Sequence, residues 1–442
     1  MRQDQIHDIH SALLSAGQPT RRVFLQRAGG AILLAFGAGT LTGCGGQNTA
    51  QQGGGGGGGG NGAPKKGGTI DAAVNTDAPT IDWTSSTATI TRAVAWHIFE
   101  PLFAFDKTYV ARPMVADGFE MSDDKKKYTI KLRKGLKFHD GTPVTADDVV
   151  ASIKRWGAIS GGGQETLKHI DQITASGDTT VEITLKNVFT PLIANLADPK
   201  QSLIVIPAKI AEAAGKKPLE DDQLVGTGPY KFEKWTRGQQ ISLKRYDGYS
   251  SRSEDWGGLA GKKTAYLDTI RMNVVKDQQV RLNQLQAGQA QYSIELSLDS
   301  YKSLQSMDNV EPVVIPSSAW LSLIFNKARP PFNDVRMRQA ANYALNKKEI
   351  GKAAYGDDRF WKADGSIFFP EQKDLYTTEG TENYDVMDLA KAKQLLKDAG
   401  YKNEKLRFMV TNLYPDHYDS AQVMVKELKA VGFNIDLQVL EW

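Results

Sequence analysis

One cysteine in 442 residues leaves no partner for an intramolecular disulfide, so the fold has to be held by its core. An excess of one charge is also missing: 54 basic residues face 51 acidic ones, a formal balance of +3. Setting aside residues 1–43 removes Arg2, Arg21, Arg22 and Arg27 against Asp4 and Asp8, and the remainder carries about +1. With no strongly basic tract, the chain does not read as a nucleic-acid binder. Histidines are sparse. Beyond residue 43 they are His97, His139, His169 and His417, and none has the i,i+4 spacing with Glu that zinc proteases use. There is no Gly-x-Ser-x-Gly elbow, and Gly226-Thr-Gly228 lacks the Lys-Ser/Thr of a phosphate loop, so it reads as a tight turn. A hydrolase needs a nucleophile with a base, or a metal with an open position. The sequence offers neither, and implies no enzyme, metal or cofactor.

A long apolar run is absent as well. Ala28–Leu41 is small, apolar and uncharged, but shorter than the ~20 residues of a spanning helix. It follows Thr-Arg-Arg-Val-Phe-Leu-Gln at residues 20–26, and this order of basic, apolar and small residues is that of an export signal. The pair Arg21-Arg22 resembles the bacterial twin-arginine signature; the plainer alternative is a Sec signal with a chance pair. Leu41-Thr42-Gly43-Cys44 resembles a lipobox, in which the Cys44 thiol carries the lipid. Several acyl chains at ~0.8 kcal/mol per buried CH₂ make such an anchor durable. Residues 44–67, with eight consecutive glycines at 53–60, read as a flexible tether. The expected location is therefore the periplasm or envelope exterior, at a membrane surface.

From Gly68 onward the pattern is mixed α/β. Alternation predicts strands at Thr69–Val74, Tyr128–Leu132, Thr180–Leu185, Gln240–Arg245 and Thr269–Val274. Helical spacing predicts helices at Thr89–Phe99, Val149–Trp156 (broken by glycines 161–163), Gln278–Ala287, Asp334–Asn346, Met387–Ala399 and Ser420–Val431. Thr145-Ala-Asp-Asp148 fits a helix start, its hydroxyl placed to accept from a free backbone N–H. Gly400 and Gly432 fit helix C-terminal caps.

The run from Tyr128 to Val149, which includes Leu132-Arg-Lys-Gly-Leu-Lys-Phe-His-Asp-Gly-Thr-Pro-Val144, resembles the signature of extracellular solute-binding proteins for peptides, nickel complexes and similar solutes. Three further segments agree in order: Gly226-Thr-Gly-Pro-Tyr230; Asn326 with Pro330-Pro-Phe-Asn-Asp-Val-Arg-Met-Arg-Gln-Ala340; and Ala390–Gly400 followed by Tyr401. The resemblance covers roughly residues 68–440. It implies an α/β, two-lobe periplasmic-binding-protein-like fold with a hinge and an extra subdomain in the first lobe. Lobe I is then expected at 68–296, with the insertion at about 103–200, and lobe II at 297–442. Members of this family continue past the position of Trp442, so lobe II is expected to be incomplete here. The resemblance also implies a peptide-like solute enclosed on hinge closure and delivered to the permease and ATPase subunits of an ABC importer.

On that resemblance, Trp320 in Ala319–Phe325, a strand-like run, borders the cleft and is a candidate to cover a flat part of the solute; the alternative is core packing. Glu100 is a candidate for a solute ammonium, or a structural contact at the hinge. Trp96, His97 and Trp83 are further candidates beside the cleft, each with ordinary core packing as the alternative. His139 is read as part of the turn before a helix. Two other classes stay open: a sensory solute-binding protein docking on a receptor, and a secreted hydrolase. The solute class itself ranges over peptides, nickel chelates, opines and oligosaccharides.

Overall fold

The computed structural model describes residues 64–314, 320–373 and 375–441. The expected signal segment 1–43 with Arg21 and Arg22, the lipid candidate Cys44 and most of the expected tether lie outside the described residues. Among the described residues, no helix is long and apolar enough to cross a membrane.

The chain divides into two compact units. One holds the chain up to Asp106 and Ala111–Ile294, the other Lys107–Val110 and everything from Glu295 on. The first unit opens with β1 (Thr69–Val74), α1 (Thr89–Ile98), β2 (Phe103–Phe105), β3 (Ala111–Pro113), β4 (Ala116–Met121) and β5 (Lys127–Leu132). It continues through α2 (Ala146–Ile159), α3 (Gly161–His169), β6 (Ile170–Ala175), β7 (Thr180–Leu185), α4 (Leu192–Leu196) and α5 (Ala208–Ala214). It closes with β8 (Tyr230–Thr236), β9 (Gln240–Arg245), β10 (Thr269–Val274), α6 (Gln278–Gln286) and β11 (Tyr292–Ser293).

Two sheets organise it. The five-stranded sheet runs β11-β1-β10-β9-β8, with β1 parallel to β10 and β11 and the other pairs antiparallel. Ile70, Ala72 and Val74 alternate into one core, where they join Ile90, Val94 and Ile98 of α1, spaced four apart on one helix face. The second sheet, β4-β5-β7-β6, is antiparallel throughout. Its inward residues Tyr128, Ile130, Val181 and Ile183 pack on Val149, Ile153 and Trp156 of α2, and every member of this core falls between Leu102 and Val205.

α2 starts at a reciprocal capping box. Asp148 Oδ2 accepts the Thr145 N–H at 2.8 Å, and the Thr145 hydroxyl also donates to it at 2.8 Å. Glycines 161–163 do not simply break the helix. Ser160 accepts from the Gly163 N–H at 3.2 Å and starts α3 with those glycines as its first turn. Gly163 lies so close to the Trp156 carbonyl that a Cβ would overlap it, so this sharp restart requires glycine.

The second unit contains α7 (Tyr301–Gln305), α8 (Val335–Ala344), α9 (Lys347–Tyr355), α10 (Leu389–Asp398), β12 (Leu406–Val410), α11 (Pro415–Val431) and β13 (Ile435–Val439). β12 and β13 pair in parallel across α11, a βαβ crossover. Met337, Ala341, Leu396, Met424, Leu428 and Phe433 belong to its core. The expected helix over 334–346 stops at Ala344, because Asn346 accepts from Lys348 and Glu349 N–H groups and starts α9. The last helix begins earlier than its apolar pattern, at Pro415, where a missing N–H does no harm. Residues 320–325 are not a strand: among the described residues no neighbour forms a ladder with them.

Candidate functional site

Four of the five candidate contact residues gather around the end of α1. α1 ends at Ile98; the next residue, Phe99, is extended and its N–H donates to the Ala95 carbonyl. The turn 226–228 sits directly on this helix end. The Gly228 N–H donates to the Ile98 carbonyl at 2.9 Å, and a Cβ on Gly228 would stand 2.5 Å from the His97 carbonyl oxygen. His139 clasps the same turn: Nδ1 accepts from Gly226 N–H at 3.3 Å and Nε2 lies 2.9 Å from the Gly228 carbonyl. An accepting Nδ1 places the proton on Nε2, so the ring is neutral. Burial pushes His139 down to about 4, against the opposing pull of the Gly228 carbonyl.

Glu100 is fully buried and spoken for. Oε1 accepts from the Tyr249 hydroxyl at 2.8 Å, and Oε2 from Thr227 Oγ1 at 3.2 Å and Arg133 Nη2 at 3.5 Å. Burial and the Glu100 charge raise the Tyr249 phenol well above its ordinary range, so it remains a donor. Glu100 thus knits the end of α1 to the segments after β5, before β8 and after β9.

Trp83 is fully buried, donates from Nε1 to the Pro199 carbonyl at 2.8 Å and meets Trp96 edge-on at 5.4 Å. Its place is in the core of the unit. Trp96 is nearly buried and carries the Lys263 Nζ over its ring, 3.7 Å from the centroid. His97 is buried edge-on to Tyr230 at 5.7 Å. Burial, helped by the Lys263 charge, pushes the His97 imidazole down to about 3. Neither ring nitrogen has a hydrogen-bond partner among the described residues.

Trp320 stands apart from these four in the second unit. It keeps 40% of its surface exposed and stacks on Phe369, centroids 4.6 Å apart and planes 14° from parallel. One face of its indole is thereby braced. Elsewhere in that unit an open depression of about 340 Å³ is lined by Asp364, Tyr376, Glu382, Tyr384 and Asp385 and includes none of the sequence candidates. Among the described residues no group of three or more His, Cys, Asp or Glu side chains is placed to hold a metal ion. Sequence reasoning missed Arg133, Tyr249 and Lys263, which surround Glu100. Arg133 lies inside the Tyr128–Val149 motif, and that was the one available signal.

The family described as bacterial extracellular solute-binding proteins, family 5 Middle, matches residues 111–442. The chain belongs to this family. It is therefore a solute-binding protein and not an enzyme, and its family places it outside the cytoplasm. A probable peptide ABC transporter periplasmic-binding protein of Sinorhizobium fredii is 32% identical over 82% of this chain and 68% of its own length. Among solved structures, the periplasmic binding protein DppA of Helicobacter pylori in complex with the peptide STSA is 26% identical, with a TM-score of 0.70 over 86% of this chain and 75% of its own. The binding protein AgaA in complex with agropinic acid, from A.tumefacien R10, is 26% identical, with a TM-score of 0.71 over 85% and 73%. The fold is the α/β, two-lobe periplasmic-binding-protein type.

Proposed function

We propose that the chain is the lipid-anchored substrate-binding component of an ABC importer, which captures a peptide or peptide-like solute and hands it unchanged to a membrane permease. The observation that carries the reading is the match to the Sinorhizobium fredii relative, named a probable peptide transporter component, over 82% of this chain. The lipobox-like Leu41-Thr42-Gly43-Cys44 and the glycines that follow support an anchored, tethered domain. In this proposal the two units correspond to the two expected lobes. Trp320, braced by Phe369, supplies an aromatic surface to the solute. Glu100, Trp96, His97 and Trp83 form the rigid frame beneath the first lobe's share of the site.

Calorimetric titration with defined tripeptides tests the reading. At least one peptide is expected to bind with one-to-one stoichiometry, and Trp320→Ala is expected to weaken it about tenfold, the effect of losing one aromatic contact worth ~1.4 kcal/mol. Unchanged affinity in the variant would remove Trp320 from the site. No heat from any peptide would remove the peptide reading.

A further inference from the structure

The cluster around Lys263 is unbalanced in charge. Lys263 is 4% exposed and its Nζ is buried; its backbone N–H is tied to Ser251 Oγ at 3.0 Å, and Nζ has no hydrogen-bond acceptor among the described residues. It lies over the Trp96 ring, and the charges that act on it are the Glu100 carboxylate and the Arg133 guanidinium; His97, which feels the Lys263 charge, is held neutral. Tyr249 adds a hydroxyl already donated to Glu100. In the same segment Arg252 is buried, but it is matched by Glu254 at 3.0 Å and by the Met114 and Ala116 carbonyls. One carboxylate, Glu100, therefore answers two buried cations, and Arg133 already holds its Oε2.

We propose that Lys263 is a proton switch built into the first unit: release of its proton to solvent removes the surplus buried charge and secures the segment 249–263 against the end of α1. The geometry gives the direction. A buried ammonium that lacks an acceptor is penalised by desolvation, and the indole face offsets only part of that cost. Burial accordingly pulls Lys263 down to about 8, against the attraction of Glu100 and with the repulsion of Arg133. The sign follows from proton counting. Between about 8 and the ordinary lysine value of 10.5 the unfolded chain keeps a proton that the folded chain has released. Stability must therefore rise with pH across that window, and be lowest in this contribution below it.

The test compares the full chain with Lys263→Met by denaturant unfolding from pH 7 to 10, alongside the ¹³Cε resonances of labelled lysines in the wild type. Lys347, also drawn down to about 8 by burial, is common to both proteins and cancels in the difference. The expected result is a wild-type midpoint that climbs relative to the variant above pH 8, with the variant at least as stable at pH 7. The Lys263 resonance, assigned by its loss in Lys263→Met or in Lys263→Arg should the first variant not fold, is expected to titrate near 8. A resonance titrating above 10, or a variant less stable than wild type by the same margin at every pH, would overturn the proposal.

Discussion

Replacing Arg155 with Met is expected to destabilise the first unit by about 3–5 kcal/mol, the loss associated with breaking one side of a buried ion pair. Arg155 Nη2 lies 2.5 Å from Asp82 Oδ2, with side chains 3% and 0% exposed. Asp82 also accepts from Thr84 N–H at 3.1 Å and Leu219 N–H at 3.3 Å, while Arg155 donates to the Lys217 carbonyl at 2.8 Å. The pair thus binds α2, in one core of the unit, to a loop lining the other. Without Arg155 the carboxylate stays in place, desolvated, with two amides as its donors among the described residues. Burial decides the magnitude, as a pair of similar length shows. Lys168 and Glu165 lie 2.6 Å apart but are 68% and 60% exposed, and solvent screens such pairs until they contribute little. A lowered denaturant midpoint at unchanged slope is the expected signature. Asp82→Asn combined with Arg155→Met is expected to recover part of the loss, since the stranded charge is gone. Losses that simply add would contradict the argument.

Glu100→Ala is expected to be comparably severe, about 3–5 kcal/mol, because it strands the Arg133 and Lys263 charges together. Glu100→Gln keeps the shape and one acceptor oxygen, for Tyr249 or for Thr227, but surrenders the charge, so a smaller loss is expected. This pair separates the two roles the sequence left open for Glu100. A residue that only met the solute's ammonium would lose affinity in Glu100→Gln while unfolding at the wild-type midpoint. A residue that holds the fold, as the hydrogen bonds of Glu100 indicate, moves the midpoint in both variants.

Local signals explain how much of the fold was legible. Residues 69–74, 180–185, 240–245 and 269–274 form strands over those bounds; Thr180–Leu185 alternates cleanly, with one face buried that a one-residue slip would turn outward, while 69–74 and 240–245 also bury consecutive residues. Gly400 and Gly432 do take positive φ after α10 and α11. Failures came where tertiary contact overrides composition. Glycines 161–163 looked like a terminator, yet the approach of Gly163 to the Trp156 carbonyl makes them a helix start. The apolar run at 320–325 looked like a strand and has no ladder partner among the described residues.

The candidate site was less legible, for a physical reason. Glu100 was found through family resemblance, but two of its partners lie 127 and 149 residues away. Nothing local in Tyr249 or Lys263 marks them as buried. A lysine in a loop rich in glycine and charge reads as solvated, and only the folded chain shows it lying over Trp96.

The proposed role requires reversible capture of a peptide-like solute without chemical change. Native mass spectrometry of the full chain, incubated with a pool of di- to pentapeptides and then washed, tests it most directly. One retained peptide per chain, released on unfolding at its original mass, is the expected result. A chain that retains no peptide, or that releases one of altered mass, would contradict it.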